Sequence, residues 1–275
     1  MLKTPQLSWI ALIAGVALAT PGTANAISPD ETNPKAIMNA VESRETGDQQ
    51  TARLQITIQD KAGRERTRGL QSWMMDFEGG TKQLVLFESP ADVRNAGLLS
   101  VDYDDGAKSD DQWLYLPSLS KTTRISSSDK SGSFMGTDLT YADMTKKDPD
   151  AYEYKMVQQD VTVDGERCWL IEARPLTEKE KKETGYLKTQ VWVSKDKLMA
   201  VRVKAWVTAG KKMKYTKMGD IKKVEGLWVT HKMVVQTKRG GETESTSTIS
   251  FSNLKLNDPS VTAELFSERK LEQGL

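Results

Sequence analysis

The feature of this chain that most constrains its fold is an alternation of apolar and polar residues with a period of two, which recurs along most of its length. In the segment LQITI, Leu54, Ile56 and Ile58 share one face of a predicted strand, and polar residues occupy the other face. The same alternation predicts further strands at residues 65–77, 81–88, 97–103, 111–116, 152–163, 166–174, 186–194, 197–208, 211–219, 227–237 and 242–254. The chain is therefore expected to consist mainly of β-strands, about a dozen in number.

Short turns separate most of these predicted strands. Asp164-Gly165 is a hairpin signal, and glycines mark further turns at residues 210, 226 and 240–241. Parallel strands need crossover connections of about a dozen residues or more, so the short turns favour an antiparallel meander. A sheet with so many strands should be strongly curved or closed.

Three segments depart from the strand pattern. Asn33 and Pro34 predict the start of a short amphipathic helix in which Ile37 and Val41 share a side. Residues 175–185 alternate in charge and predict a solvated loop or a single helical turn.

The third segment, at residues 126–150, separates the two strand series. Here Thr137 or Asp138 can cap a short helix that carries Leu139, Tyr141 and Met144. No linker of low complexity divides the series, so a single domain is predicted for residues 27–275.

The first 26 residues have the pattern of a secretory signal peptide. Lys3 precedes an apolar run at residues 7–19, and Ala24 and Ala26 fit an A-x-A cleavage site. The apolar run is shorter than the roughly 20 residues that a membrane-spanning helix needs. Because no cysteine lies at the processing site, the mature chain is expected to be exported without a lipid anchor of its own.

Few side chains suit catalysis or metal binding. The chain has one cysteine, Cys168, predicted to be buried in a strand, and one histidine, His231, predicted to be packed or exposed at a sheet edge. Zinc ligands are nearly absent. An enzyme that uses Ser126–Ser128 or Cys168 as nucleophile is the weakest of the functional alternatives, because no motif supplies a base.

The acidic segment Asp102–Asp111 superficially suggests calcium. Aligning its Gly106 with the invariant glycine of an EF-hand loop places Val101 and Tyr103 where carboxylates belong. An acidic hairpin turn is therefore expected, with a weak cation or partner contact as the alternative. No cofactor or metal is predicted.

Bulky apolar side chains are the chemistry that the sequence offers. Trp73, Met75 and Phe77 share one strand face, and Trp113 and Tyr115 share another. Core packing is the ordinary explanation for each of them. A curved sheet of about a dozen strands nevertheless encloses more space than its own side chains fill, so some of them could line a ligand cavity. Methionines suit such a surface because the thioether is flexible.

Lysines concentrate near the predicted turn at residue 210. Lys211, Lys212 and Lys214 could contact an anionic headgroup or an acidic partner, and solvated hairpin lysines are the alternative. Removal of Lys3, the only charged residue of the predicted signal peptide, leaves 38 basic and 38 acidic side chains. This balance argues against general nucleic-acid binding.

Three motifs carry a family resemblance: WLYLP at Trp113–Pro117, RISSSDKSGSF beginning at Arg124, and GTDLTYADM at Gly136–Met144. Through them the chain resembles the outer-membrane lipoprotein-sorting proteins of the LolA-like superfamily, in the branch associated with resistance-nodulation-division type exporters rather than LolA itself. The resemblance implies a mainly β fold with a few helices. Its curved antiparallel sheet would form an incomplete, half-open β-barrel whose concave face is covered by helices.

The resemblance also implies a binding site and a function. The cavity and lid candidates are Trp73, Met75, Phe77, Trp113, Tyr115, Phe134, Met135, Leu139 and Met144, and Arg124 joins the three lysines as a possible headgroup or partner contact. The expected function is a periplasmic carrier that binds acyl chains of lipoproteins or other lipid-like molecules and shuttles them between the membranes. Its expected partners are this cargo, an inner-membrane exporter and an outer-membrane acceptor. An envelope-stress or lipid sensor of the RseB type is the alternative.

Overall fold

The computed structural model describes residues 27–274, so the predicted signal peptide lies outside the described residues. Within that range the α-helices are α1 (Pro34–Glu42), α2 (Glu178–Thr184) and α3 (Glu268–Gln273). Short 3₁₀ helices occupy Pro117–Leu119, Tyr141–Met144, Pro149–Ala151 and Ala263–Leu265. None of the helices described between residues 27 and 274 is long and apolar enough to cross a membrane.

The strands form the bulk of the molecule. They are β1 (Gln49–Asp60), β2 (Glu65–Phe77), β3 (Gly80–Ser89), β4 (Gly97–Tyr103), β5 (Asp111–Leu116), β6 (Lys121–Arg124), β7 (Tyr152–Val163), β8 (Glu166–Pro175), β9 (Tyr186–Ser194), β10 (Met199–Val207), β11 (Lys212–Val224), β12 (Leu227–Arg239) and β13 (Glu242–Leu256).

All thirteen strands belong to one antiparallel sheet in the order β6-β5-β4-β3-β2-β1-β13-β12-β11-β10-β9-β8-β7. Two meanders, β1–β6 and β7–β13, are joined where β1 pairs with β13 and Ile56 lies opposite Ile249. Because β6 and β7 do not pair with each other, the curved sheet stays unclosed. The predicted fold class, an incomplete antiparallel barrel, is confirmed.

Local sequence signals explain several of the elements. The Asn33 side chain accepts hydrogen bonds from the backbone N–H groups of Lys35 and Ala36, which caps α1 as predicted. Asp164 and Gly165, between β7 and β8, both have positive φ angles of 52° and 85°. These angles are those of a type I′ turn, whose twist matches the flanking strands.

The structure differs from the sequence prediction in three elements. Strand β6 was not predicted, because its four residues KTTR lack any apolar alternation. Strand β11 continues to Val224, beyond the predicted end at residue 219. Residues 178–184 form a true helix capped by the Thr177 hydroxyl oxygen, which accepts a hydrogen bond from the backbone N–H of Glu180.

Residues 125–151 connect the two free edges of the sheet, and we call them the connecting segment. Its short helix is capped by Thr140 rather than by the predicted Thr137 or Asp138. The Thr140 hydroxyl accepts from the backbone N–H of Asp143, whose carboxylate accepts from that of Thr140. The predicted caps are used elsewhere: Thr137 donates to the Phe134 carbonyl, and Asp138 accepts hydroxyl hydrogen bonds from the sheet.

The two faces of the sheet are covered by different parts of the chain. We define the inner face as the one that carries Ile56 and Ile58 and is covered by the connecting segment and by α1. Here Phe134 packs 5.9 Å from Phe87, measured between ring centroids, and Ile37 of α1 packs against the cluster around Trp169.

The opposite, outer face of β3–β5 is covered by the C-terminal segment, residues 257–274. Leu271 of α3 is fully buried there in one cluster with Leu84 and Leu99. Strand β3 is therefore apolar on both faces, as the burial of Val85 between Leu84 and Leu86 shows. Strict alternation fails for such a strand, because both of its faces are packed.

Candidate functional site

A groove runs along the inner face between α1 and the middle strands of the sheet. Its larger part is a cavity of about 670 Å³ whose apolar lining includes Val41 of α1, Met74, Met199, Phe251 and Leu54. An adjoining cavity of about 250 Å³ shares several of these residues and adds three more apolar side chains, Ala200, Met218 and Met233. Because the two cavities have walls in common, we treat them as one site, the inner groove.

Four methionines contribute to the apolar lining of this groove. Met74, Met199, Met218 and Met233 come from four different strands, β2, β10, β11 and β12. Unbranched thioether side chains adapt to ligands of irregular shape at little cost. The groove is also within the range of roughly 300–1,000 Å³ that is typical of small-molecule sites. It can therefore receive a flexible hydrocarbon chain.

Charged residues lie at the end of the groove beside α1. Arg44 lines both cavities, and its Nη1 donates to the backbone carbonyl of Trp228 at 2.9 Å. Burial lowers the pKa of Arg44, and Glu42 opposes that change. Burial likewise raises the pKa of Glu42 against the attraction of Lys147 and Lys146. This end of the groove can contact the polar part of an amphiphile.

A second, polar cavity of about 490 Å³ adjoins the groove, and we call it the vestibule. The two share Glu42, Ser43, Asp104 and Lys146 in their linings. Asp102, on the inner face of β4, also lines the vestibule and is only 7% exposed. Burial raises its pKa to about 7, with a further contribution from Asp110.

The connecting segment is fastened to the inner face by buried polar contacts. The Asp138 carboxylate accepts hydrogen bonds from the hydroxyls of Thr237, Ser245 and Ser247, the last at 2.7 Å. Such a fully satisfied buried network holds a segment in one position.

A second anchor lies a few residues further along the connecting segment. The Tyr186 hydroxyl donates to Asp143 at 2.8 Å, and Lys214 Nζ lies 3.6 Å from the same carboxylate oxygen. Burial raises the pKa of Tyr186 and lowers that of Lys214, in the second case against the attraction of Asp143.

The predicted cavity and lid residues divide between the two faces. Phe134, Met135, Leu139 and Met144 belong to the connecting segment and pack on the inner face. Trp73, Met75, Trp113 and Tyr115 pack on the outer face against the C-terminal segment. Phe77 follows Met75 at the same strand parity, with Lys82 Nζ 5.0 Å from its ring centroid. Ligand contact by these nine residues stays a prediction.

The four cationic residues predicted to contact a headgroup or partner lie in different parts of the structure. Arg124 is exposed and pairs with Asp111 through its Nε at 3.0 Å. Lys212 pairs with Glu244 at 2.9 Å, and Lys214 is the buried partner of Asp143 described above. Lys211 lies exposed before β11 with a φ of 51°. The structure therefore does not bring these four residues into one site.

The side chains that could act as nucleophiles or metal ligands have structural roles. Cys168 is fully buried, and burial raises the pKa of its thiol to about 11, which keeps the thiol protonated. His231 Nδ1 lies 3.1 Å from the Asp220 carbonyl oxygen. Across residues 27–274, no group of three or more His, Cys, Asp or Glu side chains is placed to hold a metal ion.

Comparisons with known proteins agree with this architecture. A family model described only as an uncharacterized protein matches residues 79–273. A structure from Vibrio parahaemolyticus, described as an outer membrane lipoprotein-sorting protein domain, is 25% identical with a TM-score of 0.77, and the match covers 87% of this chain and 98% of that one. No curated protein sequence matches the chain.

Two further solved structures are similar. A DUF1329 family protein from Desulfovibrio piger is 28% identical with a TM-score of 0.78, over 87% of this chain and all of that one, 100%. A LolA superfamily protein from Nitrosomonas europaea is 17% identical with a TM-score of 0.64, over 86% of this chain and 98% of that one. The last similarity is one of fold.

Proposed function

This chain belongs to the family of uncharacterized proteins whose model matches residues 79–273, it has the fold of the LolA superfamily, and from that premise we propose that it is a periplasmic carrier of lipid-like molecules. The inner groove is the observation that carries this proposal. Part of its wall is apolar and contains four methionines from four strands, charged residues complete the lining, and the groove lies beneath α1 on the inner face. The similarity to a domain described as lipoprotein-sorting supports the same conclusion.

The physical need for a carrier follows from hydrocarbon transfer energies. Each CH₂ group removed from water contributes about 0.8 kcal/mol, so a 16-carbon chain gains about 12 kcal/mol from leaving water. Such a molecule crosses an aqueous compartment slowly unless its chain is sheltered. A groove with adaptable walls shelters the chain and also lets it leave, because no single rigid pocket holds it.

We extend the proposal to cargo and partners. The cargo is the acyl chain of a lipoprotein or another lipid-like molecule, received at the inner membrane from a resistance-nodulation-division type exporter and delivered to an outer-membrane acceptor. The protein binds and releases this cargo without chemical conversion. The buried, protonated thiol of Cys168 supports a binding role over nucleophilic catalysis.

The test is uptake of a fluorescent fatty acid by the purified mature chain, together with mass spectrometry of lipids that co-purify with it. Replacing Met218 and Met233 with Gln keeps side-chain length but places amides in the groove. We expect affinity to fall at least about tenfold, because each amide must lose water when the chain binds.

A matched control is Met75→Gln, since Met75 packs on the outer face with the C-terminal segment. Its affinity should stay close to that of the wild-type chain. Protein that carries no lipid and takes up no fatty acid would refute the carrier. Equal losses in the groove variant and in Met75→Gln would refute the assignment of the site to the inner groove.

A further inference from the structure

The inner groove and the vestibule together form a site with one apolar part and one polar part. Glu42, Ser43, Asp104 and Lys146 line both cavities, so a ligand can extend from one into the other. A hydrocarbon chain in the groove would therefore place its headgroup in or beside the vestibule. The composition of the vestibule then decides which headgroups are accepted.

Asp102 and Glu183 each bring a buried carboxylate oxygen without a hydrogen-bond partner to the vestibule, and Glu183 has an ion pair with Lys179 at 3.9 Å. Asp102 is only 7% exposed, and its Oδ1 atom has no hydrogen-bond partner among the described residues. No ion pair within residues 27–274 includes Asp102 either. A buried carboxylate oxygen without a donor is costly, and a bound donor removes that cost.

The charges around Asp102 favour a cationic donor. Eight carboxylate side chains and five lysines line the vestibule. The two lysines whose charge acts on Asp102 are held by other groups: Lys130 Nζ donates to the Asp110 carbonyl at 3.0 Å, and Lys146 Nζ lies 3.5 Å from Asp76. Asp110 adds a second negative charge close to Asp102.

The remaining lysines of the vestibule are also engaged. Lys108 Nζ lies over the Tyr103 ring at 3.3 Å from its centroid, and Lys179 Nζ donates to Ser109 at 2.9 Å. Lys147 Nζ lies 5.8 Å from the centroid of the Tyr186 ring. Of the eight carboxylates, Asp150 pairs with Lys35 and Glu183 with Lys179, so the excess of negative charge in the vestibule is concentrated around Asp102, Asp104 and Asp110.

Resting on the proposed carrier function, we propose that the vestibule binds the ammonium group of an amphiphile whose hydrocarbon chain lies in the inner groove, with the Asp102 carboxylate as its acceptor. An ammonium group supplies up to three N–H donors and a positive charge, and charge-assisted hydrogen bonds are about twice as strong as neutral ones. Above about pH 7, where Asp102 is ionised, an anionic headgroup meets repulsion from Asp102 and Asp110 at the same place.

The experiment compares three amphiphiles with the same dodecyl chain, each below its micelle-forming concentration: dodecylammonium, dodecyl maltoside and dodecyl sulfate. Each is used to displace a fluorescent fatty acid from the purified mature chain. We expect dodecylammonium to bind at least about tenfold more tightly than the neutral and anionic compounds.

Asp102→Asn should reduce the preference for ammonium over the neutral headgroup to less than about threefold while leaving dodecyl maltoside affinity unchanged. The control variant is Asp105→Asn, in the exposed turn beside the vestibule, which should keep the full preference. Circular dichroism verifies that both variants are folded.

The outcomes separate this inference from the carrier proposal. Equal affinity for the three headgroups, or a preference that survives in Asp102→Asn, overturns the ammonium site while the carrier stands. Failure of all three amphiphiles and of the fatty acid to bind overturns both.

Discussion

At the residue scale, Asp102 makes the stability of the protein depend on pH. Burial is the largest cause that raises its pKa from 3.8 to about 7, and Asp110 adds to it. Between those values the folded chain keeps a proton that the unfolded chain has released. The contribution of Asp102 to stability is therefore complete below about pH 4 and is lost as the pH rises through about 7.

This dependence can be measured by urea unfolding of the wild-type chain and of Asp102→Asn at about pH 5 and about pH 8. The free energy of unfolding of the wild-type chain should fall towards the higher pH, by up to about 3 kcal/mol from this residue. Asp102→Asn should lose most of that difference. Part of it should remain, because burial also raises the pKa of Asp110 and of Glu42. A difference that is unchanged in the variant would contradict the assignment.

The residue scale is also where prediction from the sequence reached its limit. Trp73 and Met74 are neighbours on β2, yet Trp73 packs on the outer face and Met74 lines the inner groove. Alternation places two such residues on opposite faces but cannot tell which one is on the inner face when both faces are apolar. The flexibility of methionine side chains indicated an adaptable binding surface. The choice of cavity candidates nevertheless favoured the bulky tryptophans.

At the scale of elements, the connecting segment is an anchored cover rather than a free loop. Asp138 fixes it to β12 and β13, and the carbonyl oxygen of Met135 accepts a hydrogen bond from Arg68 of β2. The Arg68 guanidinium also lies over the Phe87 ring, at 5.8 Å from its centroid. Motion of this segment therefore requires specific contacts to break.

Replacing Asp138 with Ala tests that anchor. The change leaves the buried hydroxyls of Thr237 and Ser247 without their acceptor, so we expect the variant to lose about 3 kcal/mol of stability or more. Hydrogen exchange should accelerate at the amides of Phe134 and Tyr141, whose N–H groups donate within the segment. Amides of β8 and β9 should exchange at a rate that reflects only the global loss.

Asp129→Ala is the matched control, because Asp129 belongs to the same segment but is exposed. Its carboxylate accepts a hydrogen bond from the nearby Ser126 hydroxyl, and its backbone carbonyl accepts one from the Gly132 N–H, which the variant keeps. It should change stability by less than about 0.5 kcal/mol. If Asp138→Ala exchanged its segment amides no faster than Asp129→Ala, the segment would be held by its other contacts and not by Asp138.

At the scale of the whole molecule, most of the antiparallel order followed from short turns, since each tight connection makes sequence neighbours into sheet neighbours. The pairing of β1 with β13 did not follow, because the two strands are far apart in sequence and no local signal joins them. The position of the C-terminal segment did not follow from the sequence either. Its apolar residues Val261, Phe266 and Leu271 pack on the outer face of β3 and β4, which are distant in sequence. Long-range contacts of this kind depend on the completed sheet.

The curved sheet is unclosed, and we expect its groove to exchange cargo with an aqueous compartment without unfolding of the core. If the chain is a carrier, it should speed the transfer of a fluorescent acyl lipid between donor and acceptor vesicles in proportion to its concentration. Spontaneous transfer is limited by the roughly 12 kcal/mol that exposes a 16-carbon chain to water. The expected rate increase is at least about tenfold, equivalent to a barrier lower by only about 1.4 kcal/mol.

The transfer rate should also fall when polar side chains replace apolar ones in the inner groove. The double variant Met218→Gln and Met233→Gln should reduce the protein-dependent rate, whereas Met75→Gln on the outer face should keep it. A protein that binds fatty acid but does not speed transfer would be a store or a sensor of lipid, since shelter without release cannot move cargo between membranes. Transfer that is equally fast for the groove variant and the wild-type chain would instead place the cargo outside the inner groove.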